Sequence, residues 1–350
     1  LTNIAASSKT PYWGRAYELS VYNTPDGSGT AGAILSSSAW EPEALRITFN
    51  IEQPAISSPW WFADIVVYNM NAPAAQQALF NAQWIVLKAG YQSVAQSTPD
   101  GSSPLATIWS GSVMQVLYER EDVVDNKVTF RCLATDPKLA RNVNFTTGRM
   151  ASQRQVVSQM IEQVPSCVTL NTVPDVLSAN KFERQRTYFG VTDKYFQQIT
   201  QGNNMQWFKS AHGTYMGTLA TATNEPDITY SPPMPPDGSG GAVDANVTYT
   251  LLGTPQQTDS GVIFRVLLDA RLIVKIPPTL IKLSNAVIRQ MAQSFPTGTT
   301  LPLPLDNQYV VSCVRHMGDS RGNQWESEVT GVSRAYTQGA VRGFFLTGAS

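Results

Sequence analysis

Two stretches near opposite ends of the chain constrain the fold more than anything else in it. From Trp109 to Thr135, two runs rich in β-branched and aromatic residues flank a charged connection that contains Asp125-Asn126. Such a pattern specifies a strand, a loop and a second strand paired back on the first. Gln308 to Met317 is again strand-like, Gly318-Asp319-Ser320-Arg321-Gly322-Asn323 is turn chemistry, and Gln324 to Ser333 resumes the strand. A hairpin buries one face only when further strands or a helix cover it. Each of these two must therefore sit inside a larger β-unit.

The remaining pattern supplies those units. Tyr12 to Tyr22, Ala44 to Glu52, Trp60 to Asn69 and Trp84 to Ala89 read as strands, and Leu45, Ile47, Phe49 and Ile51 alternate strictly with Arg46, Thr48, Asn50 and Glu52. Ala74 to Asn81 holds strong helix formers and reads as one short helix. Beyond Asp136-Pro137 the period changes. Thr147 is the expected N-cap of a helix with Met150, Val156, Val157, Met160 and Ile161 at helical spacing, stopped by Pro165. A strand over 184–189, a helix capped by Thr192 and a hairpin around His212 complete an α+β unit. Pro226, Pro232, Pro233, Pro235 and Pro236, followed by Gly238-Ser239-Gly240-Gly241, read as an exposed linker or arm. Strands are then expected at 248–253, 261–268 and 272–276, ahead of the second hairpin.

The expected fold is mainly β with an α+β insert. A first β-barrel-like module occupies 1–137, the α+β domain 138–222, the linker 223–246 and a second β-barrel-like module 247–350. A chain of 350 residues accommodates this number of units and can bury a real core.

Composition narrows the function classes. Basic residues number 25 and acidic residues 26, which removes the basic footprint of a protein that grips phosphates. Charged residues are only 15% of the chain, below the ~25% of an average soluble domain, so its polar surface is carried largely by uncharged side chains. Cys132, Cys167 and Cys313 are widely spaced and read as reduced structural thiols. No apolar run reaches the ~18 residues of a membrane span.

No constellation favours an enzyme, and no cofactor is expected. Glu119, Glu121 and Asp122 cluster as paired carboxylates would, yet they fall in and beside a hairpin loop, where a solvated charged turn is the better reading. His212 and His316 lack a second histidine or a cysteine at metal-ligand spacing, so no metal site is expected. Gly238 to Gly241 lacks the following Lys-Ser or Lys-Thr of a phosphate-binding loop. The cluster Trp60-Trp61-Phe62 reads as core and interface in preference to a sugar- or base-stacking platform.

The order of motifs resembles a known family. Val-Val-Tyr-Asn before the short helix, Leu87-Lys88-Ala89-Gly90-Tyr91, and Ile108-Trp109-Ser110-Gly111-Ser112-Val113 resemble the first module of contractile-tail bacteriophage baseplate hub proteins. The likeness continues through Tyr188 to Tyr195 and Trp207-Phe208, through Gly253-Thr254-Pro255-Gln256-Gln257 and Phe264 to Leu268, to the late turn between His316 and Trp325. The proline-rich stretch departs from the family pattern.

That resemblance implies a homotrimer whose two β-modules per subunit alternate around a ring. Such a ring joins a hexameric tail tube to a trimeric central spike, contacts other baseplate proteins, and leaves a channel through which DNA passes without tight binding. The location implied is the virion tail baseplate, after synthesis in the host cytoplasm. The spike, absent from this chain, is expected to be a separate protein. Two further readings stand beside it: a glycan-binding or cell-wall-degrading tail component, and the base of a type VI secretion spike. The candidate interface residues are Glu119, Glu121, Asp122 and Asp125 in the first hairpin loop, and Asp319 and Arg321 in the second.

Overall fold

A computed structural model describes residues 14–24, 33–38, 44–54, 61–91, 105–120, 125–134, 142–163, 174–203, 205–210, 213–217, 225–233, 247–289 and 306–333. The fold is mainly β, and among the described residues helices occur in one short connection and in the α+β part of the chain.

The first half contributes β1 (Arg15–Tyr22), β2 (Ala33–Ser38), β3 (Ile47–Gln53), β4 (Phe62–Tyr68), α1 (Ala72–Asn81), β5 (Trp84–Tyr91), β6 (Thr107–Arg120) and β7 (Asn126–Leu133). In β3 the alternation seen in the sequence becomes burial. Ile47, Phe49 and Ile51 are in the core, and the intervening residues are not. β4 runs the same way, with Ala63, Ile65 and Val67 inside. Trp61 is wholly buried while Phe62 is half exposed, so the aromatic cluster divides between core and surface. α1 opens with Asn71 capping the Ala74 N–H at 2.9 Å, and Pro73 takes a first-turn position where its missing N–H costs nothing.

Between residues 142 and 217 lie β8 (Asn142–Thr147), α2 (Gln153–Glu162), α3 (Val176–Ala179), β9 (Arg186–Val191), α4 (Thr192–Gly202), β10 (Gln206–Ser210) and β11 (Gly213–Gly217). This part has its own apolar cluster, built from Val143, Val156, Val157, Met160, Leu177, Tyr188, Phe196 and Ile199 among others. Two expectations are corrected here. Residues 142–147 form a strand paired with β9, because β9 supplies hydrogen bonds that a helix start would forgo, and Thr147 is a buried strand end. The helix begins at Ser152 instead, in a capping box with Gln155. Thr192 is the first residue of α4 rather than its cap.

The last part holds β12 (Ile228–Tyr230), β13 (Val247–Thr248), β14 (Leu251–Gln257), β15 (Gly261–Leu267), β16 (Leu280–Leu283), β17 (Gln308–Asp319) and β18 (Trp325–Ser333). β12 corrects the expected linker. Ile228 and Tyr230 are buried, and the strand lies between β13 and β16. The remaining stretch 234–246 lies outside the described residues. Leu272, Val274 and Ile276 are buried as a strand's inward face would be, yet no strand among the described residues pairs with them, and the segment is irregular up to the cis Ile276–Pro277 bond.

All these β-elements outside the α+β part join one large sheet. In the first half the strands lie side by side in the order β2-β1-β5-β6-β7-β4-β3. In the last part the order is β13-β12-β16-β17-β18-β15-β14, the same path through strands taken in the same chain order. The register agrees as well. Phe62, Ile65 and Tyr68 face Leu133, Phe130 and Lys127 across β4 and β7. Gly261, Phe264 and Leu267 face Val332, Val329 and Glu326 across β15 and β18, at a constant sequence separation from the first set. Even the bulges coincide: the β6–β7 ladder slips between Val113 and Gln115, and the β17–β18 ladder between Val311 and Cys313. The halves differ at the far edge, where β1 is antiparallel to both neighbours and β12 is parallel to both of its own.

Candidate assembly interface

The two halves meet where β3 runs antiparallel along β17, pairing Gln53 with Val314, Ile51 with His316 and Thr48 with Asp319. Since β18 holds the other side of β17, that strand is enclosed on both edges over this length. On the inner face, Phe49 meets Trp325 edge to face at 5.2 Å, and the Trp325 indole N–H donates to the Gly90 carbonyl at 3.0 Å. A Cβ on Gly318 would run into the Phe49 ring, so glycine is what allows that ring to lie against the strand. On the outer face, Arg315 Nε donates to Asn50 Oδ1 at 2.7 Å.

Asp319 and Arg321 sit in a turn that is tied down within the chain. Arg46 donates to the Asp319 carboxylate at 2.7 Å. Arg15 donates to the Asp319 carbonyl at 2.7 Å and also to the Gly322 carbonyl. Ser320 exchanges hydrogen bonds with Ile47, its N–H donating to the Ile47 carbonyl at 2.9 Å and its Oγ accepting from the Ile47 N–H at 3.0 Å. Arg321 Nη2 donates to the Ala44 carbonyl at 2.8 Å. The hydrogen bond from Arg46 holds the Asp319 carboxyl below the usual carboxylate range, against an opposing push from partial burial.

Asp125 and Asn126, at the start of β7, lie at the same rim. Asp125 accepts from Asn69 Nδ2 at 2.9 Å, and the Asn126 N–H donates to Asn69 Oδ1 at 3.1 Å. Asn69 takes a left-handed φ of 55°, a conformation its short amide side chain tolerates. The neighbouring Tyr68 ring carries the Arg46 guanidinium at 4.6 Å, so Asp125, Asn69, Tyr68, Arg46 and Asp319 form one chain of contacts from turn to turn. Glu119 pairs with Lys127 at 3.3 Å on the outer face. Glu121 and Asp122 lie outside the described residues.

Arg15, Arg46 and Asn69 were not among the sequence candidates. Arg46 sits on the polar face of the strict alternation, which marks it as outward but cannot say that Asp319 waits across a distant strand.

Among the described residues, no group of three or more His, Cys, Asp or Glu is placed to hold a metal ion. His316 is buried, with Nδ1 at 2.8 Å from Ser327 Oγ. His212 lies outside the described residues. Cys132 and Cys313 are in no disulfide among the described residues, Cys167 lies outside them, and burial, helped by the Asp64 charge, pushes the Cys132 thiol well up. Among the described residues no helix is long and apolar enough to cross a membrane.

No protein-family model matches the chain, and no curated protein matches it in sequence. Solved structures similar to it include a tail protein from Neisseria meningitidis MC58, at 10% identity and a TM-score of 0.49 over 93% of this chain and 98% of that one. The 43 kDa tail protein of prophage MuSo2 from Shewanella oneidensis matches at 7% identity and a TM-score of 0.48, over 92% and 98% of the two chains. A component of the type VI secretion system from E. coli matches at 10% identity and a TM-score of 0.42, over 84% and 75%.

Proposed function

We propose that this chain is a structural, non-enzymatic tail component: a homotrimeric collar that joins a hexameric tail tube to a trimeric central spike and leaves an axial passage for DNA. The observation that carries the reading is the repeated strand path, β2-β1-β5-β6-β7-β4-β3 followed by β13-β12-β16-β17-β18-β15-β14. Two similar β-modules in each of three subunits supply six similar faces, which is what a three-fold body needs in order to meet a six-fold tube. The order of sequence motifs, which resembles that of baseplate hub proteins, points the same way. A chain with 25 basic and 26 acidic residues has no net basic charge with which to hold DNA, as a passage requires. The base of a type VI secretion spike would use the same joint, and the choice between the two rests on which spike the collar binds.

Light scattering of the purified chain, with low-resolution imaging of the particle, tests the reading. A mass three times that of the chain and six lobes around a three-fold axis are the expected result. A stable monomer at every concentration would overturn it. Release of peptidoglycan fragments by the pure protein would replace it with the cell-wall-degrading reading.

A further inference from the structure

The β3–β17 joint inside the chain leaves two edges that match its halves. β17 has β18 along one side, and along the other has β16 at residues 308–310 and then β3 at 314–319. β6 has β7 along one side, and along the other has β5 over 107–112, closed by the Val113 N–H donating to the Gln83 carbonyl at 2.9 Å. Beyond that point no strand among the described residues lies on this side of β6. Counted from the matching bulges, Val116 and Tyr118 stand where Val314 and His316 stand in the second hairpin. Val314 and His316 are buried at 0% and 1% exposure, whereas Val116 is only partly buried and Tyr118 is 48% exposed. The bare half of β6 thus carries apolar side chains at the place where its counterpart is covered by β3.

The other loose end is β14, which follows β15 in the strand path as β3 follows β4. The outer side of β3 is taken by β17, but no full strand covers the outer side of β14 among the described residues. It meets a short strap at one bridge, where the Gln257 N–H donates to the Arg289 carbonyl at 3.0 Å and the Arg289 N–H to the Pro255 carbonyl at 2.8 Å. Val287, on that strap, is 81% exposed. Pro255 and the bulge at Gly253, whose φ is +66°, keep β14 from offering the plain ladder that β3 offers. The strap is what an approaching edge would meet first.

We infer that copies of this chain associate head to tail, the edge of β6 beyond Val113 (Met114 to Glu119) in one copy lying against the β14 edge and its Val287–Arg289 strap in the next. The inference rests on the collar reading and names the contact that would close the ring. Each copy presents one edge of each kind, so the contact is heterologous, and it closes when the rotation per copy divides a full turn. In a trimer three such contacts alternate with the three β3–β17 joints. The contact covers Tyr118 and Val287, apolar side chains that the isolated chain leaves largely in water.

The test uses the full chain. Tyr118→Arg and Val287→Arg each replace an exposed side chain, so both variants are expected to keep the wild-type circular dichroism while their mass in light scattering falls to one third. Mixing Tyr118→Cys chains with Val287→Cys chains under mild oxidant should give a disulfide-linked dimer that neither variant forms alone, with the wild type as control for the native thiols. If the wild type is trimeric but both arginine variants stay trimeric and the mixed cysteines do not link, this contact is wrong and the collar reading stands. A wild type that is monomeric at every concentration overturns both.

Discussion

The two hairpins share strand order, register and bulge position, yet they live in different surroundings. The β17–β18 hairpin is enclosed by β3, with Val314, His316 and Trp325 buried. The β6–β7 hairpin keeps only its β7 side covered beyond Val113, and Tyr118 stands half in water. A strand's burial thus belongs to its neighbours as much as to itself. Local pattern sets which residues share a face, and the third strand decides whether that face is core.

Substitutions at equivalent positions put this contrast to the test. The largest effect is expected at Trp325, which packs on Phe49 and donates to Gly90, and whose place in the first hairpin is taken by Asn126. Trp325→Ala should cost about 3–5 kcal/mol in urea unfolding, the usual loss for a large buried aromatic. Asn126→Ala should cost far less, and equal losses would mean that the β3 joint does not distinguish the hairpins.

Next comes Gly318→Ala, which drives a Cβ into the Phe49 ring and should cost about 1–3 kcal/mol by overpacking, with a matching drop in the unfolding midpoint. A neutral result would show that Phe49 can move aside and that the joint is loosely packed.

Asp319→Asn removes the ion pair with Arg46 and should cost about 1 kcal/mol at neutral pH. The carboxyl is held low in the folded chain, so its contribution is present above the unfolded value of about 3.9 and fades as pH falls through the lowered folded value. The gap between wild type and variant in urea titrations should therefore narrow in acid. A constant gap from neutral pH to pH 3 would mean that the charge of Asp319 is not what links the second turn to β3.

The smallest effect is kinetic. Cys132 lies under the first hairpin with its thiol pushed up by burial, while Cys313 on the second is only half-buried. A thiol reagent at pH 8 should modify Cys313 before Cys132, whose reaction should wait for unfolding. The reverse order would place the first hairpin's inner face in solvent.

Read alone, the sequence determined those features in which one residue's surroundings repeat along the chain. The alternation of Ile47, Phe49 and Ile51 marked an inward face, both hairpins were visible in their strand–turn–strand composition, and α1 followed from its alanine-rich run. The polar rim was legible in part. Asp125 and Asp319 announced themselves as turn residues, while their partners Asn69 and Arg46 are remote in sequence and carry no local sign of the pairing.

Tertiary structure alone decided the rest, and the reason is hydrogen bonding between distant strands. Residues 142–147 became a strand because β9 was there to pair with them, and Ile228–Tyr230 joined the sheet despite the prolines around it because β16 offered an edge. Leu272, Val274 and Ile276 show the converse, an alternating buried run that no strand among the described residues pairs with. Periodicity tells a side chain which way to face. Only a partner strand gives the backbone its ladder, and where β3 and β14 lie is settled by the whole sheet.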